Sequence, residues 1–258
     1  MVSLHHILGA CTQCLSHYPA AGACIMIEIR RSNERGQANH GWLQSRHTFS
    51  FANYYDPEHM GVSALRVIND DKVIPGRGFG THGHQDMEII SYVKRGTIAH
   101  KDSMGHVEHL PAGEFQLMTA GTGITHSEFN PSTEEPLEFL QIWILPDRRG
   151  LEPGYQQKRF DPRNGLQLIA SPDARDGSLR LHQDALLLQL RLSAGEEATH
   201  VISADRCAYV HVVSGGISVN GTVLSAGDGA TIRADDVLEF VGLASEDVIN
   251  EALLFDLP

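Results

Sequence analysis

The side chains best suited to chemistry fall in two short pairs, His82-Gly83-His84 and, further along, His126-Ser127-Glu128. Residues i and i+2 of a β-strand point to one face, so each pair on a strand projects two donors into a common interior. Three imidazoles and one carboxylate make a complete protein ligand set for a divalent transition metal. On an octahedral ion they leave two positions for water, substrate or dioxygen. The set contains no thiolate and therefore fits iron, manganese, cobalt, nickel or copper at least as well as structural zinc, for which cysteine-rich sets are commoner. The expected metal residues are His82, His84, His126 and Glu128.

Two other patterns are weaker. Gly78-Phe79-Gly80-Thr81-His82-Gly83 matches the G-x-G-x-x-G dinucleotide pattern, with Asp102 following at about the usual 20 residues. That motif works only between a parallel strand and a helix whose N-terminus faces the pyrophosphate. Here Pro75-Gly76 precedes it and a β-rich run follows, so the dinucleotide reading is rejected. Cys11-Thr12-Gln13-Cys14, near His5 and His6, lacks the second pair that a zinc finger needs. Histidine is also abundant, at 15 of 258 residues. His100, His106 and His109 are accordingly read as surface side chains in preference to supports behind a ligand.

The elements that must position the two pairs are short strands. Apolar, β-branched runs at 64–68, 87–93, 97–100, 106–110, 115–118 and 137–145 alternate with turn signals such as Asn69-Asp70-Asp71, Lys94-Arg95-Gly96 and Pro111-Ala112-Gly113. No long amphipathic helix interrupts them. The rhythm resumes at 185–192, 209–213, 217–219, 237–241 and 253–255, with an Asn220-Gly221 hairpin signal. Strands at such even spacing predict an all-β sandwich or barrel, here duplicated. The stretch 151–165, rich in Pro, Gly and charge, is the expected linker between a metal-binding unit at 26–150 and a second unit at 166–258.

Residues 1–25 contain no Lys or Arg and are expected to be a disordered extension or the product of an upstream start codon. Cys11, Cys14 and Cys24 lie there and only Cys207 lies beyond, which is no disulfide framework. With 20 Lys and Arg against 32 Asp and Glu, the net charge of −12 argues against binding nucleic acid or an anionic membrane surface. No run approaches the roughly 20 apolar residues of a membrane-spanning helix. A soluble, cytoplasmic protein is expected.

The motifs also carry a resemblance. Gly76, His82-x-His84 and Glu88 resemble the first motif of the cupins, and Gly105 with Pro111-x-Gly113 the second, although the cupin metal histidine is replaced by Gln116. A ligand displaced to His126 is what the pirin family shows. The strings HTFSFANYYDP (47–57), GTHGHQDMEII (80–90), PAGEFQLMTAGTGITHSE (111–128) and SPDARDGSLRLHQDA (171–185) are similar to pirin signatures. The resemblance implies a bicupin of two double-stranded β-helix (jelly-roll) barrels. It puts the pirin ligands on His82, His84, His126 and Glu128, with Glu88 behind them. The second barrel is expected to be metal-free, since His200 and His211 stand without a partner in an HxH or HxE pair.

In chemistry the resemblance implies a metal-dependent dioxygenase that opens a flavonol such as quercetin with O2 and releases carbon monoxide. Its cofactor is one divalent transition metal: iron first, with manganese, cobalt, nickel, copper or zinc as alternatives. Its partners are a small-molecule polyphenol and O2, and Glu128 is the expected catalytic base. The alternative reading is a pirin-type regulatory protein that acts through protein partners. A cupin isomerase or epimerase is a third reading.

Overall fold

The computed structural model describes residues 26–233, 236–243 and 248–258. The N-terminal stretch with its C-x-x-C pair lies outside them. Strands in the first part of the chain are β1 (Met26–Arg30), β2 (Gly36–Asn39), β3 (Leu43–His47), β4 (Leu65–Val73), β5 (Gly78–His84), β6 (Glu88–Arg95), β7 (Thr97–Asp102), β8 (Val107–Pro111), β9 (Glu114–Thr119), β10 (Ile124–Phe129), β11 (Leu137–Ile144) and β12 (Gly154–Arg159). The second part adds β13 (Gly165–Ser171), β14 (Leu179–Arg180), β15 (Leu186–Leu192), β16 (Glu197–Ile202), β17 (Cys207–Ser214), β18 (Gly216–Val219), β19 (Thr222–Ser225), β20 (Gly229–Arg233), β21 (Asp236–Gly242) and β22 (Asn250–Leu257).

These strands build two units of one plan, each a seven-stranded sheet facing a four-stranded one. The N-terminal unit has the orders β12-β9-β6-β11-β4-β3-β2 and β5-β10-β7-β8. The C-terminal unit has β1-β20-β17-β22-β15-β13-β14 and β16-β21-β18-β19. This is the expected all-β architecture of two cupin-type units.

The long apolar runs follow from burial on both faces. In β4, β6, β9 and β11 one set of residues, including Ile68, Ile90, Tyr92, Phe115, Leu117, Leu140 and Ile142, shares a core with Leu187, Tyr209, Leu253 and Phe255 of the other unit. The alternate set faces the interior of its own unit. Strands covered on both sides lose the polar alternation of a half-exposed sheet. The Tyr92 and Phe115 rings stack at 4.3 Å in this shared core. Tyr92 also donates its hydroxyl to Glu251 across the junction, where Gln189 Nε2 donates to the same carboxylate at 2.8 Å.

Two strands cross the expected partition. β1 falls within the stretch expected for the first unit, yet it pairs with β20 of the second and packs Ile27 and Ile29 against that unit's interior. β12 lies within the stretch expected as a linker, yet it pairs with β9 over six residues at the edge of the N-terminal sheet. A polar edge strand such as GYQQKR has one ladder side and little apolar alternation. It reads as loop until its partner is known.

Candidate metal centre

The first pair lies on β5 and the second on the adjacent β10, in the four-stranded sheet of the N-terminal unit. His82 sits opposite His126 and His84 opposite Ile124, and the register slips between His126 and Glu128 so that Glu128 faces Phe79. Phe79 and His82 are three apart and would point to opposite faces of a regular strand. The bulge turns both toward one cavity. Gly78 permits the close approach: a Cβ there would lie 2.2 Å from the Glu128 carbonyl oxygen. The G-x-G-x-x-G match is thus a β-strand, with no helix N-terminus to receive a pyrophosphate.

The three imidazoles form a triangle. Ring centroids lie 4.5 Å apart for His82 and His126, 4.8 Å for His82 and His84, and 4.9 Å for His84 and His126. His82 donates Nδ1–H to the Gly80 carbonyl at 2.8 Å, which leaves its Nε2 lone pair free. That Nε2 lies 3.0 Å from Nε2 of His126. Burial lowers His84 to about 4 and His126 to about 3, and the neighbouring imidazoles push the same way. Neutral imidazoles with converging lone pairs are what a divalent cation requires of its ligands. His126 turns its Nε2 to this centre, while its buried Nδ1 has no hydrogen-bond partner. The residues present fit a metal.

Glu128 stands one step deeper. It is 3% exposed and groups with His126 and His100, with ligand atoms within 4.8 Å of one another, while His82, His84 and His126 form a second such group. Ser91 Oγ donates to its Oε1 at 3.3 Å and Gln141 Nε2 to its Oε2 at 3.0 Å. Burial still dominates and raises the carboxyl to about 7. The carboxylate therefore accepts a proton readily near neutrality.

His100 corrects the surface expectation. It is 1% exposed and faces Glu128 across the β10–β7 pair, with its ring 5.4 Å from that of His126. Asp102 bridges His100 Nε2 at 3.3 Å and His106 Nδ1 at 2.8 Å. Burial alone would raise Asp102, but those hydrogen bonds outweigh it and hold the carboxyl below its usual value. Tyr155, from β12, packs its ring 4.9 Å from His100 and 4.8 Å from His106. His109 is exposed, as expected. Glu88 is buried away from the imidazole triangle and accepts from Thr119 Oγ1 at 3.2 Å and from the His182 backbone at 3.3 Å.

Sequence reasoning also missed a polar rung across the inner face of the seven-stranded sheet. Register aligns Gln116, Ser91, Gln141, Asn69 and His47 on β9, β6, β11, β4 and β3. Every one is buried. The available signal was a polar residue in the middle of an apolar strand, as in Ser91 of EIISYVKR or Gln141 of LEFLQIWI. Beside the rung lies a cavity of about 720 Å³, within the usual range for small-molecule sites. His82, His84 and Glu128 contribute to its wall, with Trp42, Phe51, Tyr54, Phe79 and Trp143 as aromatic lining. Trp143 stands edge-on to His84 with centroids at 5.0 Å.

Comparison with known proteins agrees with this geometry. The pirin family profile matches residues 28–144, and that of the quercetinase C-terminal cupin domain matches residues 168–257. Over 233 residues the chain is 55% identical to the quercetin 2,3-dioxygenase of Escherichia coli K12, covering 90% of this chain and 99% of that one. A putative quercetin 2,3-dioxygenase of Pseudomonas aeruginosa is 44% identical over 228 residues, covering 87% of this chain and 98% of that one. The crystal structure of the Escherichia coli bacterial pirin YhhW in complex with nickel(II) superposes with a TM-score of 0.86 at 54% identity, over 90% of this chain and 99% of that one.

Proposed function

The chain belongs to the pirin family, and from that premise we propose that it is a metal-dependent dioxygenase that opens a flavonol such as quercetin with O2 and releases carbon monoxide. The observation that carries this reading is the triangle of three imidazoles, two of which, His82 and His84, line an aromatic cavity, with a buried carboxyl raised to about 7 beside them. His82, His84 and His126 hold the metal, and Glu128 is the carboxylate of the set. Iron remains the first candidate, and nickel is the ion bound by the similar YhhW. When bound, a divalent cation stabilises the oxyanion of a coordinated hydroxyl and so makes that hydroxyl acidic.

The protein's own residues do the remaining work. Trp42, Phe79 and Trp143 offer flat apolar faces to a planar ring system and exclude water from it. Glu128 takes the proton of the flavonol 3-hydroxyl on a remaining lone pair of its carboxylate, while Gln141 and Ser91 each hold one oxygen of that carboxylate in place. The overall reaction puts both atoms of dioxygen into the ring-opened product and expels one ring carbon with its oxygen as carbon monoxide.

The test is aerobic turnover of quercetin by metal-loaded protein, following O2 uptake and released CO together. Equal consumption of O2 and release of CO, lost in His126→Ala, is the expected result. Absence of both in the metal-loaded wild-type protein overturns the reading.

A further inference from the structure

The cavity has a second polar region that the metal ligands do not use. Ser45, His47, Asn69 and Asp71, from β3 and β4, line it on the seven-stranded sheet, facing the sheet that carries His82 and His84. All four are buried. His47 Nδ1 lies 2.8 Å from Asn69 Oδ1 and 3.3 Å from Ser45 Oγ, so these three satisfy one another. Asp71 differs: it is 4% exposed, and its Oδ1 has no hydrogen-bond partner. An unpaired carboxyl oxygen in a buried site is costly, and the Asp71 side chain lies in the cavity wall, where a ligand hydroxyl can meet its carboxyl.

We propose that Asp71, supported by Ser45, His47 and Asn69, is the specificity-determining contact for a ring hydroxyl of an aromatic substrate, distinct from the hydroxyl that meets the metal. The assignment rests on the flavonol reading above and narrows it to polyhydroxylated rings. A phenolic hydroxyl both donates and accepts, so it pairs with the Asp71 carboxyl whether or not that carboxyl carries its proton. Burial pushes that carboxyl up to about 7 against the opposing pull of the Ser45 hydroxyl, so both forms are present at neutral pH. A pocket that leaves a buried polar atom unpaired when the hydroxyl is missing discriminates strongly against the analogue lacking it.

Both tryptophans of the chain, Trp42 and Trp143, line this cavity, and quenching of their fluorescence therefore reports occupancy without turnover. Quercetin and 3-hydroxyflavone share the 3-hydroxyl, and only quercetin carries further ring hydroxyls. In anaerobic titrations of nickel-loaded protein, the wild type should bind quercetin about tenfold more tightly than 3-hydroxyflavone. Asp71→Leu should lose about tenfold on quercetin and stay within about twofold on 3-hydroxyflavone. Asp71→Asn, which keeps a donor and an acceptor, should retain most of the quercetin affinity. Asp71→Ala replaces the leucine variant should that one not fold.

Equal affinity of the wild type for the two flavonols, or equal losses on both in the leucine or alanine variant, overturns the assignment. Unchanged quercetin binding in that variant does so too. Those outcomes leave the flavonol reading standing, because both ligands still bind. Failure of both flavonols to quench the wild-type tryptophans removes the flavonol reading itself.

Discussion

Across the inner face of its seven-stranded sheet the C-terminal unit carries Ala230, Val210, Leu254, Leu188 and Leu168, on the same strand places where the N-terminal unit carries Gln116, Ser91, Gln141, Asn69 and His47. The facing sheets differ in the same sense. His126 pairs with His82 in one, whereas Leu238 pairs with His200 in the other. The consequence appears in the packing. The C-terminal interior is one continuous apolar cluster, while the N-terminal interior has two separate ones, around Phe139 and around Met118. His200 in the filled unit bonds to Asp256 Oδ2 at 2.9 Å, and Arg206 holds the other oxygen of that carboxylate. Among the described residues, both groups of side chains close enough to hold a metal lie in the N-terminal unit. One strand plan can thus be filled for stability or hollowed for chemistry, according to the inward positions of a few strands.

The largest effect that would sharpen this contrast is on metal affinity. His126→Ala should weaken nickel binding by about 100-fold or more, measured by calorimetry, since even residues behind a ligand matter by 10–100-fold. Leu238→Ala, at the matching place in the other unit, should leave nickel affinity unchanged and cost about 2–5 kcal/mol of stability in urea. Loss of metal binding in the leucine variant would break the comparison.

Exchanging the rungs comes next. Leu254→Gln puts an amide without partners into an aliphatic interior and should cost about 3 kcal/mol by chemical denaturation. Gln141→Leu removes a donor to Glu128 and should affect the metal-free fold far less, while it disturbs turnover. Nickel itself should stabilise the wild-type protein by about 2.7 kcal/mol at a free concentration one hundred times its Kd. His126→Ala should show no such thermal shift under the same conditions.

The smallest effect is on pH dependence. In the metal-free protein burial raises Glu128 from 4.5 to about 7, so the folded state holds that proton more tightly than the unfolded chain does. The resulting stabilisation is complete below pH 4.5 and is lost as the pH rises through about 7. Glu128→Gln should flatten this slope by up to about 1 kcal/mol per pH unit, read from Tm across that range. His211, buried between the units and lowered by that burial from 6.5 to about 3, acts in the opposite sense. Its contribution is present above pH 6.5 and disappears as the pH falls through about 3, so acid sensitivity should persist in Glu128→Gln.

Much of this is legible in the sequence. Apolar runs separated by Gly, Pro, Asn and Asp marked the strands, and i, i+2 spacing put His82 with His84, and His126 with Glu128, each on one face of a strand. His100 escaped because a single histidine in TIAHKD looks the same whether its strand faces water or the interior. Asp71 escaped because Asn69-Asp70-Asp71 reads as a turn, whereas the chain continues through it in β4, from Leu65 to Val73, with Asn69 and Asp71 turned inward.

By itself the sequence determined the strand class, the duplicated rhythm and the candidate metal-ligating side chains, because these depend on spacing along the chain. Only the tertiary structure decided which sheet β1 and β12 join, that Glu128 sits between Ser91, Gln141 and His100, and that five polar residues far apart in sequence form one rung. Those features are set by register between strands, and a shift of one residue would turn every side chain to the other face.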